Sequence, residues 1–256
     1  MAFPPGWIVP DWPAPAGVRA VCTTRAGGVS GAPYDALNLG DHVGDDADRV
    51  SQNRAIFRQA LGARPVFLRQ VHGTRTARLT AATPDGTEAD ACLTTERAVA
   101  CTIMVADCLP VLLTAADGRA VAAAHAGWRG LAGEGGRGVL ESACDALRRV
   151  AGDLSGTLAW LGPCIGPAAF EVGPEVKAAF EAHDPGASAL FEPYRTGKWL
   201  ANLPGLARRR LAALGITGVY GNDGSGEWCT VGNPSSFFSH RRDGVGGRFA
   251  AGVWLG

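Results

Sequence analysis

Lysine is nearly missing from this 256-residue chain, at positions 177 and 198 only, and arginine supplies almost all of the positive charge. The 24 Lys and Arg balance 24 Asp and Glu. A net charge of zero gives no global field to recruit nucleic acid or an anionic membrane, so neither is an expected partner. The arginine bias reads as genome composition, and arginine abundance by itself is no phosphate-binding signal. No apolar run approaches the length of a membrane span. The start, Met1-Ala2-Phe3-Pro4-Pro5-Gly6-Trp7, lacks the basic residues and apolar core of a signal peptide. The seven cysteines are an odd number spread from Cys22 to Cys229, which argues against a disulfide framework and predicts a cytoplasmic protein with reduced thiols. GxGxxG and Walker patterns are missing after any strand-like run, which speaks against a nucleotide cofactor in a Rossmann or P-loop site.

What is present fits a soluble globular enzyme: 46% hydrophobic and 19% charged residues, with no repeat or low-complexity linker. Strand-like runs fall near residues 18–24, 65–71, 98–105, 109–114, 119–125, 157–161 and 249–255. Helical stripes cover 45–61, closed by Gly62, then Val139 to Val150, closed by Gly152, and Leu203 to Leu214, between Asn202 as N-cap and Gly215 as C-cap. A short helix is expected to begin at Pro174. Many strands with few, irregularly placed helices predict an α+β fold. One domain over 1–256 is expected, with 1–16 an irregular N-terminal extension.

Three potential metal ligands close three apolar runs: His72 after Val66-Phe67-Leu68-Arg69-Gln70-Val71, Cys108 after Thr102-Ile103-Met104-Val105-Ala106-Asp107, and His125 after Ala120-Val121-Ala122-Ala123-Ala124. Strands deliver side chains rigidly to one rim of a sheet. Two imidazoles and a thiolate meeting there would bind a transition metal and leave a coordination position free. The spacing alone is weak, with no CxxC or HExxH, and a lone His or Cys at a strand end is more often simply packed. Cys108 also admits a second chemistry, as a nucleophile beside a His. Asp107 is a poor partner for it if the two lie on one strand, where neighbours face opposite ways. Cys164, in a turn bounded by Gly and Pro, reads as structural.

Other segments offer anion-binding features with bland alternatives. Thr23-Thr24-Arg25-Ala26-Gly27-Gly28-Val29-Ser30-Gly31 is a Gly-rich turn that could cradle an oxyanion. His125-Ala126-Gly127-Trp128-Arg129-Gly130 suits a flat ring and an anionic group. Phe237-Phe238-Ser239-His240-Arg241-Arg242-Asp243-Gly244 adds two arginines, with Arg–Asp pairing on a turn as the bland reading.

These blocks, with Asn38-Leu39-Gly40-Asp41-His42-Val43-Gly44-Asp45, Asn53-Arg54, Gln70-Val71-His72-Gly73 and Ala106-Asp107-Cys108-Leu109-Pro110-Val111, make residues 18–255 resemble the laccase-domain family. Its members go by the names multicopper polyphenol oxidase, purine nucleoside phosphorylase and peptidoglycan editing factor. His240 departs from the Tyr expected in many relatives. The resemblance implies a four-layer α-β-β-α sandwich with mixed sheets and a zinc site of His72, Cys108 and His125. It also implies phosphorolysis of adenosine, inosine and S-methyl-5'-thioadenosine, with adenosine deamination as a side activity.

A multicopper relay needs several further imidazoles, and only His42, His183 and His240 remain. Zinc therefore suits the chain better than a full copper cluster, while mononuclear copper with slow phenol oxidation stays open. Phosphorolysis also needs cations for inorganic phosphate, and Arg25, Arg54 and Arg129 are the expected phosphate-binding residues. Trp128 or Phe238 would stack on the purine, unless both are core aromatics. A cysteine amidase on peptidoglycan precursors is the alternative enzyme, and a zinc-stabilised interaction domain ranks last, since structural zinc usually takes four protein ligands. Oligomeric state is left open.

Overall fold

The computed structural model describes residues 3–256. Met1 and Ala2, the start of the expected irregular extension, lie outside the described residues. Residues 3–17 carry no helix or strand beyond an isolated bridge from Ile8 to Cys22.

Two large sheets face each other. The first has the order β1 (Val18–Cys22), β13 (Phe249–Leu255), β5 (Val99–Val105), β2 (Arg64–Phe67), antiparallel except for the parallel β2–β5 pair. The second has the order β12 (Gly218–Gly221), β8 (Leu158–Leu161), β6 (Leu109–Thr114), β7 (Val121–Ala126), β4 (Ala91–Thr94), β3 (Thr76–Arg78), with parallel pairs at its two edges. A small antiparallel sheet joins β10 (Phe191–Arg195), β11 (Lys198–Ala201) and β9 (Glu171–Val172).

Parity along the strands sorts the core into layers. Side chains alternate faces along a strand. In β5, Cys101, Ile103 and Val105 enter the core between the sheets with Leu112, Val121, Ala123 and Trp160 of the second sheet. Their neighbours Ala100 and Met104 face outward onto α1 (Ala47–Leu61), where Phe57, Leu61, Phe67 and Trp254 pack. On the far side, Leu109, Val111, Leu113, Ala122 and Ala124 pack against α3 (Val139–Ala151) and α5 (Leu203–Ala213). The result is the expected α-β-β-α stack, and burial on both faces explains the near-continuous apolar runs of β5, β6 and β7. Short α2 (Trp128–Ala132), α4 (Pro174–Glu181) and α6 (His240–Asp243) fill the connections, with 3-10 turns at Pro185–Leu190 and Gly226–Trp228.

The helix boundaries follow their caps. Asp46 accepts from the amides of Asp48 and Arg49, both at 3.0 Å, and Gly62 ends α1 with φ 62°. Asn202 accepts from Gly205 N at 2.8 Å and opens α5. Two of the expected strands are shorter than their apolar runs. The run at 18–24 ends as a strand at Cys22, and that at 65–71 ends at Phe67. Beyond Phe67, the Gln70 side chain donates to Met104 O at 2.8 Å and accepts from Met104 N at 2.9 Å, standing in for a strand's backbone. His72 therefore sits in a loop, five residues past β2, and not at a strand end.

Candidate metal centre

The site lies at one rim of the gap between the two large sheets. His125 has the parity of Val121 and Ala123, so β7 aims it into the inter-sheet side, where it is 4% exposed. Cys108 sits in the three-residue link 106–108 that carries the chain from β5 in one sheet to β6 in the other. His72 comes from the loop beyond β2, and its φ of 61° lies in the left-handed region that a His rarely adopts.

Asp90, just before β4, holds that loop. Its fully buried carboxylate accepts from the amides of Val71 (3.1 Å), His72 (2.9 Å) and Gly73 (2.7 Å), and its Oδ1 lies 2.8 Å from His125 Nδ1. One carboxylate thus fixes the backbone of one imidazole and the ring of the other. Orienting a ligating imidazole through its far nitrogen is a recurring device of metal sites, and it leaves His125 Nε2 as the free donor. Burial opposes the charge of Asp90, but the bonds to His125 and to the amides of Gly73 and Val71, with the charge of His125, outweigh it and hold its pKa below the ordinary value.

Donor atoms of His72, Cys108 and His125 all lie within 4.8 Å of one another. Cys108 Sγ is 3.6 Å from His72 Nε2. A tetrahedral zinc with bonds of about 2.0–2.1 Å to N and about 2.3 Å to S would place such a pair about 3.6 Å apart, so the spacing fits the ion. The imidazole rings meet edge to face, 4.7 Å between centroids. Without a cation, burial would push the Cys108 thiol up, yet the neighbouring His125 and His72 outweigh it and hold the group at about 6. His125 is the complement: burial lowers it, and the Cys108 thiolate and Asp90 raise it to about 9.

Close packing at the site explains two glycines of the His125–Gly130 motif. A Cβ on Gly127 would stand 2.9 Å from Cys108 Sγ and 2.9 Å from His72 Cδ2, and one on Gly130 would stand 2.7 Å from Gly73 O. The cavity in front of the trio measures about 420 Å³ and is lined in part by His42, Gln70, Met104, Trp128, Phe170, His240, Arg241 and Arg248.

The three arginines expected for phosphate are not brought to this cavity. Arg25 donates to Asp35 O and Pro234 O, pairs with Asp35 and stacks on Phe238. Arg54 donates to Leu39 O at 2.9 Å, lies 3.1 Å from Asp41 without hydrogen-bond geometry at Nη2, and stacks on Phe67. Arg129 is exposed and folds back over the Trp128 ring. The Gly-rich turn is also occupied, because Val29 N donates to Asn53 Oδ1 and Asn53 in turn donates to Ser30 Oγ and Asn38 O. The Asn53-Arg54 pair on α1 therefore clamps the 28–40 loop.

Of the expected stacking aromatics, Phe238 is core at 1% exposure and Trp128 lines the cavity. Cys164 is fully buried with its thiol pushed up by that burial, in keeping with a packing role. Asp107 lies in the link between the sheets rather than on a strand. Its φ is 95°, and it accepts from Thr230 Oγ1 and Arg241 N. Sequence reasoning missed Asp90 and Arg248. The only local signal for Asp90 was an acidic residue before a short apolar run, which is common to many turns.

The sequence matches the family described as multi-copper polyphenol oxidoreductase laccase over residues 19–256. The chain belongs to this family. It is 50% identical to a Pseudomonas aeruginosa relative and 47% identical to an Escherichia coli one, both named purine nucleoside phosphorylase, over 97% of this chain and 98% of each relative. The crystal structure of the Neisseria meningitidis protein NMB0706 superposes with a TM-score of 0.89 at 45% identity, covering 98% of this chain and 99% of that one. Among the described residues, no helix of this laccase-family chain is long and apolar enough to cross a membrane.

Proposed function

We propose that the protein is a zinc-dependent purine nucleoside phosphorylase, cleaving adenosine, inosine and S-methyl-5'-thioadenosine with inorganic phosphate and deaminating adenosine as a side activity. The observation that carries the metal half of this reading is the convergence of His72, Cys108 and His125, with Asp90 orienting His125. The relatives named purine nucleoside phosphorylase support the reaction half. His72, Cys108 and His125 would hold the ion, which would supply Lewis-acid polarisation in the cavity. The same donor set accepts copper, which binds N and S sites more tightly still.

The chain's own residues do the rest. Trp128 offers a flat wall for a purine, and apolar Met104, Phe170 and Leu203 also line the cavity and limit water there. Phosphorolysis requires phosphate to be held against the sugar carbon in place of water, which demands cations in the same cavity.

A cysteine amidase acting on a peptidoglycan precursor is the second reading. It is favoured by the Cys108 thiol held at about 6 beside His72. Metal dependence separates the two. The zinc-loaded protein is expected to release adenine from adenosine only when phosphate is present, and to form inosine in its absence. Cys108→Ala should lose most of its metal and both activities. Equal base release without phosphate would exclude a phosphorylase, and no turnover of any nucleoside would favour the amidase.

A further inference from the structure

With Arg25 and Arg54 tied to the protein and Arg129 turned away, an anion in the cavity must find other cations. Two guanidiniums line it. Arg248, at the end of the glycine turn before β13, is half-buried, and its stem lies against Gly40. Its Nη1 donates to Gly246 O at 3.1 Å and Gly247 O at 3.0 Å, while Nε and Nη2 have no protein acceptor among the described residues. It lines the same cavity as His72, Cys108 and His125.

Arg241, on α6, is exposed and lines the cavity, with its guanidinium carbon 5.6 Å from the centroid of the Phe170 ring. Its Nη1 donates to Glu171 O at 3.1 Å and to Ala169 O at 3.5 Å, and its backbone amide donates to Asp107 Oδ2 at 2.6 Å. Neither guanidinium pairs with a carboxylate side chain among the described residues. In the same motif Arg242 does pair with Asp243, at 2.7 Å, so the Arg–Asp reading holds for one arginine and leaves the other free.

Among the described residues Asp107 is the one acid lining the cavity, and both of its oxygens are already engaged, by Thr230 and Arg241 N. His42 and His240 add imidazole nitrogens at the same walls. An arginine left partly desolvated without a paired carboxylate is costly unless an anion completes it, and guanidinium matches a tetrahedral oxyanion in two-pronged fashion.

We propose that Arg248 and Arg241 form an oxyanion subsite facing the His72–Cys108–His125 trio, and that its occupant is inorganic phosphate. The assignment rests on the phosphorylase reading for the identity of the anion, and on geometry alone for the subsite. Asp107 is then a positioning residue, since it fixes the segment that carries Arg241.

The test is calorimetric titration of zinc-loaded protein with inorganic phosphate alone, with nucleoside 5'-monophosphate as a second arm. Arg248→Met keeps the stem that covers Gly40, and Arg241→Met tests the second cation separately. Each is expected to weaken phosphate binding by about tenfold or more while retaining metal, whereas Arg129→Met serves as a charge control and should bind as the parent does. Arg248→Lys, which keeps charge and stem but not the fork, should fall between, and it carries the test if the Met variant fails to fold.

In turnover assays the loss should appear in KM for phosphate and leave KM for the nucleoside nearly unchanged. Unaltered phosphate affinity in both Met variants, or no saturable binding of phosphate or monophosphate to the parent, overturns the subsite. Binding of the monophosphate alone, lost in the variants, overturns inorganic phosphate as the occupant. Arg248-dependent phosphate binding in a protein that cleaves no nucleoside would uphold the subsite and defeat the phosphorylase reading. Phosphate-dependent cleavage untouched by either variant would do the reverse.

Discussion

At the scale of single residues, Asp90 and Cys108 decide the character of the site. Asp90 satisfies three amides of a strained loop and one imidazole, so a single buried carboxylate keeps His72 and His125 in register. Cys108 gains its reactivity from those imidazoles. In metal-free protein the thiol is expected to titrate at about 6, down from 9.0, and His125 at about 9, up from 6.5. A lowered acid contributes stability above its unfolded value and loses it as pH falls through about 6. A raised base contributes fully below its unfolded value and loses it as pH rises through about 9. The thiolate–imidazolium pair therefore spans the window from about 6 to about 9 in the metal-free protein. Alkylation of Cys108 in that form should show a midpoint near 6, and a midpoint near 9 would mean that the imidazoles do not reach it. The other six cysteines are buried and should react far more slowly.

At the scale of elements, the site depends on a loop, a link and a strand meeting at close quarters. The turn between β7 and α2 passes so near the trio that Gly127 has no room for a side chain. Gly127→Ala should displace Cys108 or His72 and cut metal content at least severalfold, read by elemental analysis of the purified protein. The melting temperature of chelated Gly127→Ala should stay within a few degrees of the chelated parent, because the clash falls on side chains at the rim and spares the sheets. A fully metal-loaded variant would show that the loop carrying His72 can yield. Elements that carry no ligand act indirectly: α1, through Asn53 and Arg54, holds the 28–40 loop, which brings His42 to the cavity wall.

For the whole molecule, the fold stands independently of any ion that the trio would hold. Three apolar cores, one between the sheets and one on each outer face, are complete without any ion. This differs from small domains whose folding free energy is metal binding itself. Chelation should thus leave far-ultraviolet circular dichroism unchanged and lower the melting temperature, since an ion bound only by the folded state at about a thousand times its Kd adds about 4 kcal/mol. Loss of secondary structure on chelation would mean that the trio is a folding centre rather than a site laid onto a finished scaffold.

The sequence by itself determined most of the elements, while their stacking in four layers was implied only by the family resemblance. The 3.6-residue stripes, the caps at Asn202 and Gly62, and the two-sided burial of β5, β6 and β7 are local or periodic properties, and they read out as four helices and seven strands at about their observed places. It also singled out His72, Cys108 and His125 as candidate ligands after apolar runs, and folding brought their donor atoms within 4.8 Å of one another. The short strands β3, β4 and β9 to β12 escaped, since two to five residues give too little period to detect and their pairing is supplied by distant partners. Only the tertiary structure decided which polar groups serve the cavity. Arg54 and Arg248 look alike in sequence, yet one is held by Leu39 O and Asp41 outside the cavity and the other lines it with Nε and Nη2 free. Asp90, likewise, owes its role to amides 17 to 19 residues away and an imidazole 35 residues away. A side chain's chemistry is local, but whether its hydrogen-bonding and charge are already satisfied depends on neighbours that only folding brings within reach.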